Sequence, residues 1–153
     1  MTLLKALKAD HEKAKALLDK ILEAEDGTER KSLFAQFAEE LTAHSRAEEK
    51  VLYARLKKAE EGKDEALEGA VEHQIVDRLI EDLKKNSNTK SDEWSARCGV
   101  LQELLEHHIE EEEDEMFKTA RKLFDAKSLE KMGEEFLAEK AKFGTDAKES
   151  AAA

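Results

Sequence analysis

Apolar side chains recur every three or four residues through four long stretches of this chain, which is the periodicity of amphipathic helices. The pattern predicts helices over residues 3–24, 29–60, 65–85 and 92–124, and a shorter fifth helix over residues 128–143. Short polar segments that contain Gly27, Gly62 and residues 86–91 separate the first four. Short turns place neighbouring helices antiparallel, so we predict an all-α, up-down-up-down four-helix bundle with a short fifth C-terminal helix.

The composition fits one helical domain. Among the 153 residues there is no proline, and 41% are charged. Proline is the strongest helix breaker, so its absence favours long uninterrupted helices. Residues 1–143 are predicted to form this one domain, whereas residues 144–153 have no apolar period and are predicted to be a disordered tail.

Charge and cysteine content narrow the classes of function. The formal net charge is −11, which argues against nucleic acid as a partner because that binding needs clustered lysine and arginine. The one cysteine, Cys98, excludes an internal disulfide framework and fits a reducing compartment. The N-terminal segment has no cleavage signature, and no stretch is apolar enough to span a membrane. We therefore expect a soluble cytoplasmic protein.

Four of the five histidines lie on the apolar stripes of four different predicted helices: His11, His44, His73 and His108. His11 and His44 are 33 residues apart, and His73 and His108 are 35 residues apart. Glu48 and Glu112 follow the second and fourth of these histidines by four residues, which places imidazole and carboxylate on the same helix face. The pattern indicates a duplicated helical hairpin that carries a metal site inside the bundle.

The donor set restricts the metal. A buried, unpaired carboxylate is costly, and a bound cation removes that cost. Four imidazoles and two carboxylates exceed the needs of one tetrahedral zinc, and calcium or magnesium sites use oxygen ligands. Two first-row metal ions about 3.5 Å apart, bridged by carboxylates, suit the set. Ferritin-like bundles use Glu-x-x-His, and no histidine here has a glutamate three residues before it.

Three further residues have more than one interpretation. Asp77, one turn after His73, is predicted either to join the site or to be an exposed helix charge. His107 lies off the stripe and is predicted to be a surface or boundary imidazole, although it could lean inward to complete the site. Tyr53 is predicted to be a core or boundary aromatic side chain.

At these residues the sequence resembles the hemerythrin-like, or HHE cation-binding, family. The matching features are His11 in Asp-His-Glu, His44-x-x-x-Glu48, His73 in Glu-His-Gln, and the His-His-x-Glu-Glu-Glu-Glu run at residues 107–113. The resemblance implies a non-haem di-iron centre in an oxo- or carboxylate-bridged form, with Glu48 and Glu112 as bridges. It implies the metal-ligand set His11, His44, Glu48, His73, His108 and Glu112, with Asp77 at the position where oxygen carriers of the family have a histidine.

The resemblance implies that the two iron ions bind O2 or a related small ligand, peroxide or nitric oxide. The alternative is a di-iron enzyme with peroxide-disproportionating (catalase-like) or ferroxidase-like activity. An aspartate in place of a histidine favours the ferric state, which argues against reversible oxygenation. A helical interaction protein whose histidines are ordinary core residues is the third hypothesis.

Overall fold

The computed structural model describes the backbone of residues 1–152 and the side chains of residues 1–143. Within that part of the chain, α1 spans Leu3–Glu23 and α3 spans Lys63–Lys85. The second helix, α2, spans Gly27–Glu48 and continues through Glu49–Tyr53 and Ala54–Leu56. The fourth, α4, spans Asp92–Glu111 and continues through Glu112–Met116 and Phe117–Leu123. The fifth, α5, spans Ala126–Ala152. The predicted all-α helical bundle is confirmed.

The helix starts follow the local sequence. Thr2, Asp26 and Ser91 each accept a hydrogen bond from a backbone N–H in the first turn of the helix that follows them. The second helix ends at Leu56, earlier than the predicted residue 60, because the backbone N–H groups of Lys58 and Ala59 bond to carbonyls three residues back and tighten the chain into a turn.

The continuations of α2 and α4 are not α-helical throughout. Glu49–Tyr53 and Glu112–Met116 are π-helical turns, which hold one residue more than an α-turn. They occupy equivalent places in the two hairpins, directly after Glu48 in one and beginning at Glu112 in the other. An apolar repeat predicts one uninterrupted helix at both places, so the sequence pattern did not reveal these turns.

The core is divided into two apolar layers. One contains Leu3 and Leu7 of α1 with Phe136 of α5, and the other contains residues such as Ile21 of α1 and Trp94 of α4. Between them, each of the first four helices contributes buried polar side chains at mid-height. The two apolar layers therefore enclose the polar layer and exclude bulk water from it.

The fifth helix packs on the first hairpin. Phe136 is fully buried and its ring meets the imidazole of His44 edge-on at 5.5 Å between centroids. Gly133 lies so close to the backbone of residues 1–3 that a Cβ there would clash with it. The helix is assigned beyond the predicted end at residue 143, and the predicted tail, residues 144–153, falls outside the residues whose side chains are described. That prediction therefore stays a prediction.

Arg30 is a buried cation at the end of the bundle opposite the start of α5, where it binds to α1 and to the α3–α4 loop. Arg30 is only 5% exposed, and its guanidinium donates to the carbonyls of Ile21 and Leu22 at the end of α1. It also donates to the Thr89 carbonyl in the α3–α4 loop and lies over the indole ring of Trp94. One side chain thus satisfies the carbonyls that the end of α1 leaves without helical partners.

Replacing Arg30 with alanine is expected to lower the free energy of unfolding by about 2–4 kcal/mol, because several buried carbonyls lose their donor together. Urea unfolding of the variant beside Lys31→Ala, an exposed neighbour, measures the effect. The metal content should not change, since Arg30 lies at the end of the bundle and not in the polar layer. A loss below about 0.5 kcal/mol, the usual range of surface substitutions, would contradict this account of Arg30.

No helix in the described part of the chain combines the length and apolar character that a membrane crossing requires.

Candidate metal centre

Six of the seven predicted ligand side chains meet in the polar layer. They come from all four bundle helices, and none is more than 5% exposed: His11, His44, Glu48, His73, His108 and Glu112. Each histidine lies where its apolar stripe crosses the mid-height of the bundle. Burying so many ionisable groups together, without charge compensation, is unfavourable.

The six side chains form two groups that share both carboxylates. His11 and His44 offer nitrogen atoms within 4.8 Å of carboxylate oxygens of Glu48 and Glu112, and so do His73 and His108. Each group therefore has two imidazoles and access to the same two carboxylates. This is the arrangement expected of two adjacent metal positions bridged by glutamates.

The inward nitrogen of every histidine faces a carboxylate oxygen. His73 Nε2 lies 3.2 Å from Glu48 Oε1, and His108 Nε2 lies 3.2 Å from Glu112 Oε2. His11 Nε2 is 3.3 Å from Glu112 Oε1, whereas His44 Nε2 is 4.0 Å from Glu48 Oε1. The nitrogens and carboxylates thus converge from opposite sides on the same interior space.

The outward nitrogen of every histidine is held by a further carboxylate. His44 Nδ1 lies 2.8 Å from Asp10, and His108 Nδ1 lies 2.8 Å from Glu72. The other two pairs join the hairpins: His11 Nδ1 lies 2.8 Å from Glu113, and His73 Nδ1 lies 2.7 Å from Glu49. An Nδ1–H that donates to a carboxylate fixes the tautomer and leaves the Nε2 lone pair free for a metal.

Sequence reasoning missed these four carboxylates, although the duplication contained a signal for them. Asp10 and Glu72 directly precede the histidines of α1 and α3, and Glu49 and Glu113 directly follow the glutamates of the site. Acidic residues at the same two places in each copy point to a shared role. Acidic residues are so frequent in the rest of the chain that this repeat did not stand out in the sequence.

Several of the buried polar atoms have no partner. Both carboxylate oxygens of Glu48, one oxygen of Glu112 and Nε2 of His11 lack a hydrogen bond. Unpaired buried polar atoms are rare in folded proteins and usually indicate a missing ligand or strain. Here they all face the space that the two groups enclose, so they fit a site for metal ions.

The two shared carboxylates influence each other strongly. Burial, together with the neighbouring Glu112, raises the pKa of Glu48 well above its usual value. Burial acts against ionisation of Glu112 too, but its interactions with Glu48, His108 and His11 outweigh burial and hold the pKa of Glu112 well below its usual value. Without metal the pair therefore holds a proton more tightly than two separate carboxylates would, and a metal ion has to displace that proton.

Burial and hydrogen bonding also act in opposite directions on the pKa of His108. Burial would lower its pKa, but hydrogen bonds to Glu112 and Glu72 dominate and raise the pKa of His108 to about 9. A protonated imidazole nitrogen cannot bind metal, so a metal ion has to compete with a proton for this histidine too.

Tyr53 completes the polar layer. The hydroxyl donates to Glu112 Oε2 at 3.0 Å, and the ring stacks on His73 with centroids 5.2 Å apart. Burial, then the charges of Glu48 and Glu112, raise the pKa of Tyr53 well above its usual value, which keeps the hydroxyl protonated. The side chain is fully buried, as the sequence predicted, but it also bonds a member of the site.

Asp77 is not brought to the two groups. Its carboxylate accepts a hydrogen bond from Arg46 at 2.8 Å, and its side chain is 33% exposed. The physical reason is its position beside the stripe of α3, where a cation from α2 is within reach. His107 is a surface imidazole with 63% of its side chain exposed, paired with Glu111.

Replacing Glu49 with glutamine is expected to weaken metal affinity by about 10- to 100-fold, because His73 loses the carboxylate that orients it. Asp77→Asn is the matched control on the facing helix, and its affinity should stay within about twofold because Asp77 contacts no ligand. Competition against a chelator of known affinity measures both. Equal losses in the two variants would show that general surface charge, not imidazole orientation, controls affinity.

A model of the hemerythrin HHE cation-binding domain matches residues 2–120 of the chain. The crystal structure of an HHE cation-binding domain-containing protein from Mycobacterium kansasii aligns with a TM-score of 0.83 and 25% identity, covering 96% of this chain and 90% of that one.

Two curated relatives are longer than this chain. A protein of Nostoc sp. described as a DNA nickase is 29% identical over 93% of the chain, and an uncharacterized hemerythrin-like protein of Schizosaccharomyces pombe is 33% identical over 71%. The chain spans 40% of the first relative and 54% of the second. With the family model matching most of its length and the predicted resemblance thereby confirmed, the chain belongs to the hemerythrin HHE cation-binding family.

Proposed function

We propose that this protein holds two iron ions between the four histidines and the two shared glutamates, and that it binds O2, peroxide or nitric oxide there. The observation that carries the proposal is the sharing of Glu48 and Glu112 by two separate pairs of histidines. A single ion would leave one pair of imidazoles unused. Mixed nitrogen and carboxylate donors favour first-row transition metals, and iron is a member of that group that reacts with all three small ligands.

Bound iron would supply redox chemistry and an open coordination position. The protein's own residues hold the donors in place: the carboxylates at Nδ1 fix all four imidazoles, and the apolar layers exclude water. Tyr53 keeps a protonated hydroxyl 3.0 Å from Glu112 Oε2.

The space beside the histidines favours a very small ligand. A hollow of about 10 Å³ is lined by the four imidazoles and by apolar side chains that include Leu41, Val76 and Leu105. That volume is close to the minimum for one water molecule. An organic substrate is far too large for a space of this size, so we restrict the proposal to ligands of very few atoms.

A larger cavity of about 500 Å³ lies between α1, α2 and α5 and reaches His11 and His44. Its lining mixes apolar side chains such as Leu17 and Leu137 with the polar Gln36 and with five charged side chains, Asp10, Lys13, Glu39, Glu40 and Lys140. We propose it as the route by which a neutral small ligand approaches the histidines.

The second candidate function is an enzyme that disproportionates peroxide or oxidises ferrous iron at the same centre. The hydroxyl of Tyr53 favours it, since a buried hydrogen-bond donor beside the site can stabilise charge that develops during turnover. Binding and catalysis therefore differ in whether added peroxide is held or consumed.

Two other hypotheses have less support. Core histidines in a plain interaction protein would satisfy their own nitrogens, and His11 Nε2 and both Glu48 oxygens remain unpaired. Nucleic acid is not part of the proposal, because the net charge is −11 and the relative described as a DNA nickase is much longer than this chain. A cytoplasmic location, which the single cysteine favours, belongs to the proposal as well.

The experiment is to load the metal-free protein with ferrous iron under anaerobic conditions, then measure bound iron and the visible spectrum before and after each small ligand. We expect about two irons per chain. A spectral change that reverses when O2 or nitric oxide is removed supports binding, and sustained peroxide consumption supports the enzyme. No bound iron, or one zinc that is indifferent to His108→Ala, would refute both.

A further inference from the structure

The two hairpins of the bundle differ most on their outer faces. Residues of α1 correspond to residues of α3 62 positions later, as His11 does to His73, and residues of α2 correspond to residues of α4 64 positions later, as His44 does to His108. On the first hairpin the groove between the helices is lined by small apolar side chains, including Ala6, Ala43 and Ala47, and α5 packs over it. On that side a helix therefore covers the metal centre, and the larger cavity described above lies between that helix and the groove.

The corresponding groove on the second hairpin is acidic and has no helix over it in the described part of the chain. The counterparts of Ala6, Ala43 and Ala47 are Glu68, His107 and Glu111. The groove lies between α3 and α4 and has a volume of about 20 Å³. Besides Glu112 of the metal centre, five other glutamates line it: Glu65, Glu68, Glu72, Glu111 and Glu115. No lysine or arginine is among the described residues that line it.

The inner end of this groove is the metal centre itself. His108 and Glu112 both contribute to its lining, and Glu112 is 2% exposed with one oxygen, Oε1, that has no hydrogen-bond partner. One oxygen of Glu65 is also buried without a partner. Unpaired buried carboxylate oxygens along an acidic groove attract a cation and disfavour an anion or an apolar ligand.

At the outer end, the lining residues Glu72 and Glu111 belong to a second set of metal-ligating atoms, which His107 completes from beside the groove. One ligand atom each of Glu72, His107 and Glu111 lies within 4.8 Å of the other two. His107 and Glu111 are exposed, and their nearest atoms are 3.1 Å apart. Glu72 connects the two ends, because its other contact is the hydrogen bond with Nδ1 of His108.

We propose that Glu72, His107 and Glu111 form an entry site for a divalent first-row metal ion, which then passes along the acidic groove to His108 and Glu112. The inference rests on the proposed metal centre and deepens it. One imidazole and two carboxylates, with His107 and Glu111 exposed to water, bind such an ion weakly, as transfer requires. Net negative potential in a cleft raises the local cation concentration and the association rate.

The test measures the rate of Fe²⁺ uptake by the metal-free full chain under anaerobic conditions, with a chromogenic chelator added at intervals to capture unbound iron. The variant is His107→Ala with Glu111→Ala, which introduces the residues found at the equivalent positions of the first hairpin. Both positions are exposed, so folding should not change. We expect uptake to slow by at least about tenfold while the final content remains about two irons per chain.

Glu110→Ala is the matched control, because it removes the same single negative charge from α4 outside the groove. Its uptake rate should stay within about twofold of the unmodified protein. Unchanged uptake by the double variant, or equal slowing by the control, would overturn the entry site and leave the metal centre intact. Failure of the unmodified protein to take up Fe²⁺ would overturn the metal centre and the entry site together.

Discussion

Replacing Glu112 with glutamine is expected to reduce the bound metal from about two ions per chain to one or none. Glu112 belongs to both ligand groups, so its loss weakens both positions at once. It also accepts the hydrogen bond of the Tyr53 hydroxyl and faces His11 and His108. An amide has the same shape but lacks the charge, and its nitrogen would oppose a cation where an oxygen had bound it.

Metal analysis of protein loaded with iron and freed of excess by gel filtration measures the loss. Glu106→Gln is the control, since Glu106 is exposed on the same helix and contacts no ligand. Far-UV circular dichroism separates metal loss from unfolding, because the helices should persist. Retention of two ions by the Glu112 variant would show that the two groups do not share this carboxylate.

Removing the metal from the loaded protein is expected to lower its melting temperature by roughly 8–16 °C. A ligand present at a thousand times its dissociation constant stabilises the folded state by about 4 kcal/mol. For a chain of this size each kcal/mol corresponds to about 2–4 °C. The physical cause is the polar layer, where unpaired oxygens of Glu48 lose the cation that compensates their burial.

Thermal unfolding followed by circular dichroism, before and after dialysis against a chelator, measures this shift. The Glu112→Gln protein provides the internal control, because a chain that holds little metal has little stability to lose. A melting temperature unaffected by the chelator in protein shown to have lost its metal would mean that the bundle is stable by its apolar layers alone. It would also remove the structural role given to the ions.

The sequence predicted the residues of the candidate site more completely than it predicted the side chains around the site. The helix repeat is local, so it shows which side chains share a face before any tertiary contact is known. That was enough to bring six residues, among them Glu48 and Glu112, into one predicted layer. Asp77 was harder, because it lies beside its stripe, and its partner, Arg46, comes from another helix.

The sequence by itself determined the helices, the antiparallel order and the duplicated pairs of histidine and glutamate, because each depends on spacing along one segment. Only the tertiary structure decided which carboxylates hold the outer nitrogens, where the π-helical turns lie and which hairpin α5 covers. These depend on the rotation and height of one helix relative to another. The apolar repeat of a single helix leaves both free within about one turn, and packing across the bundle fixes them.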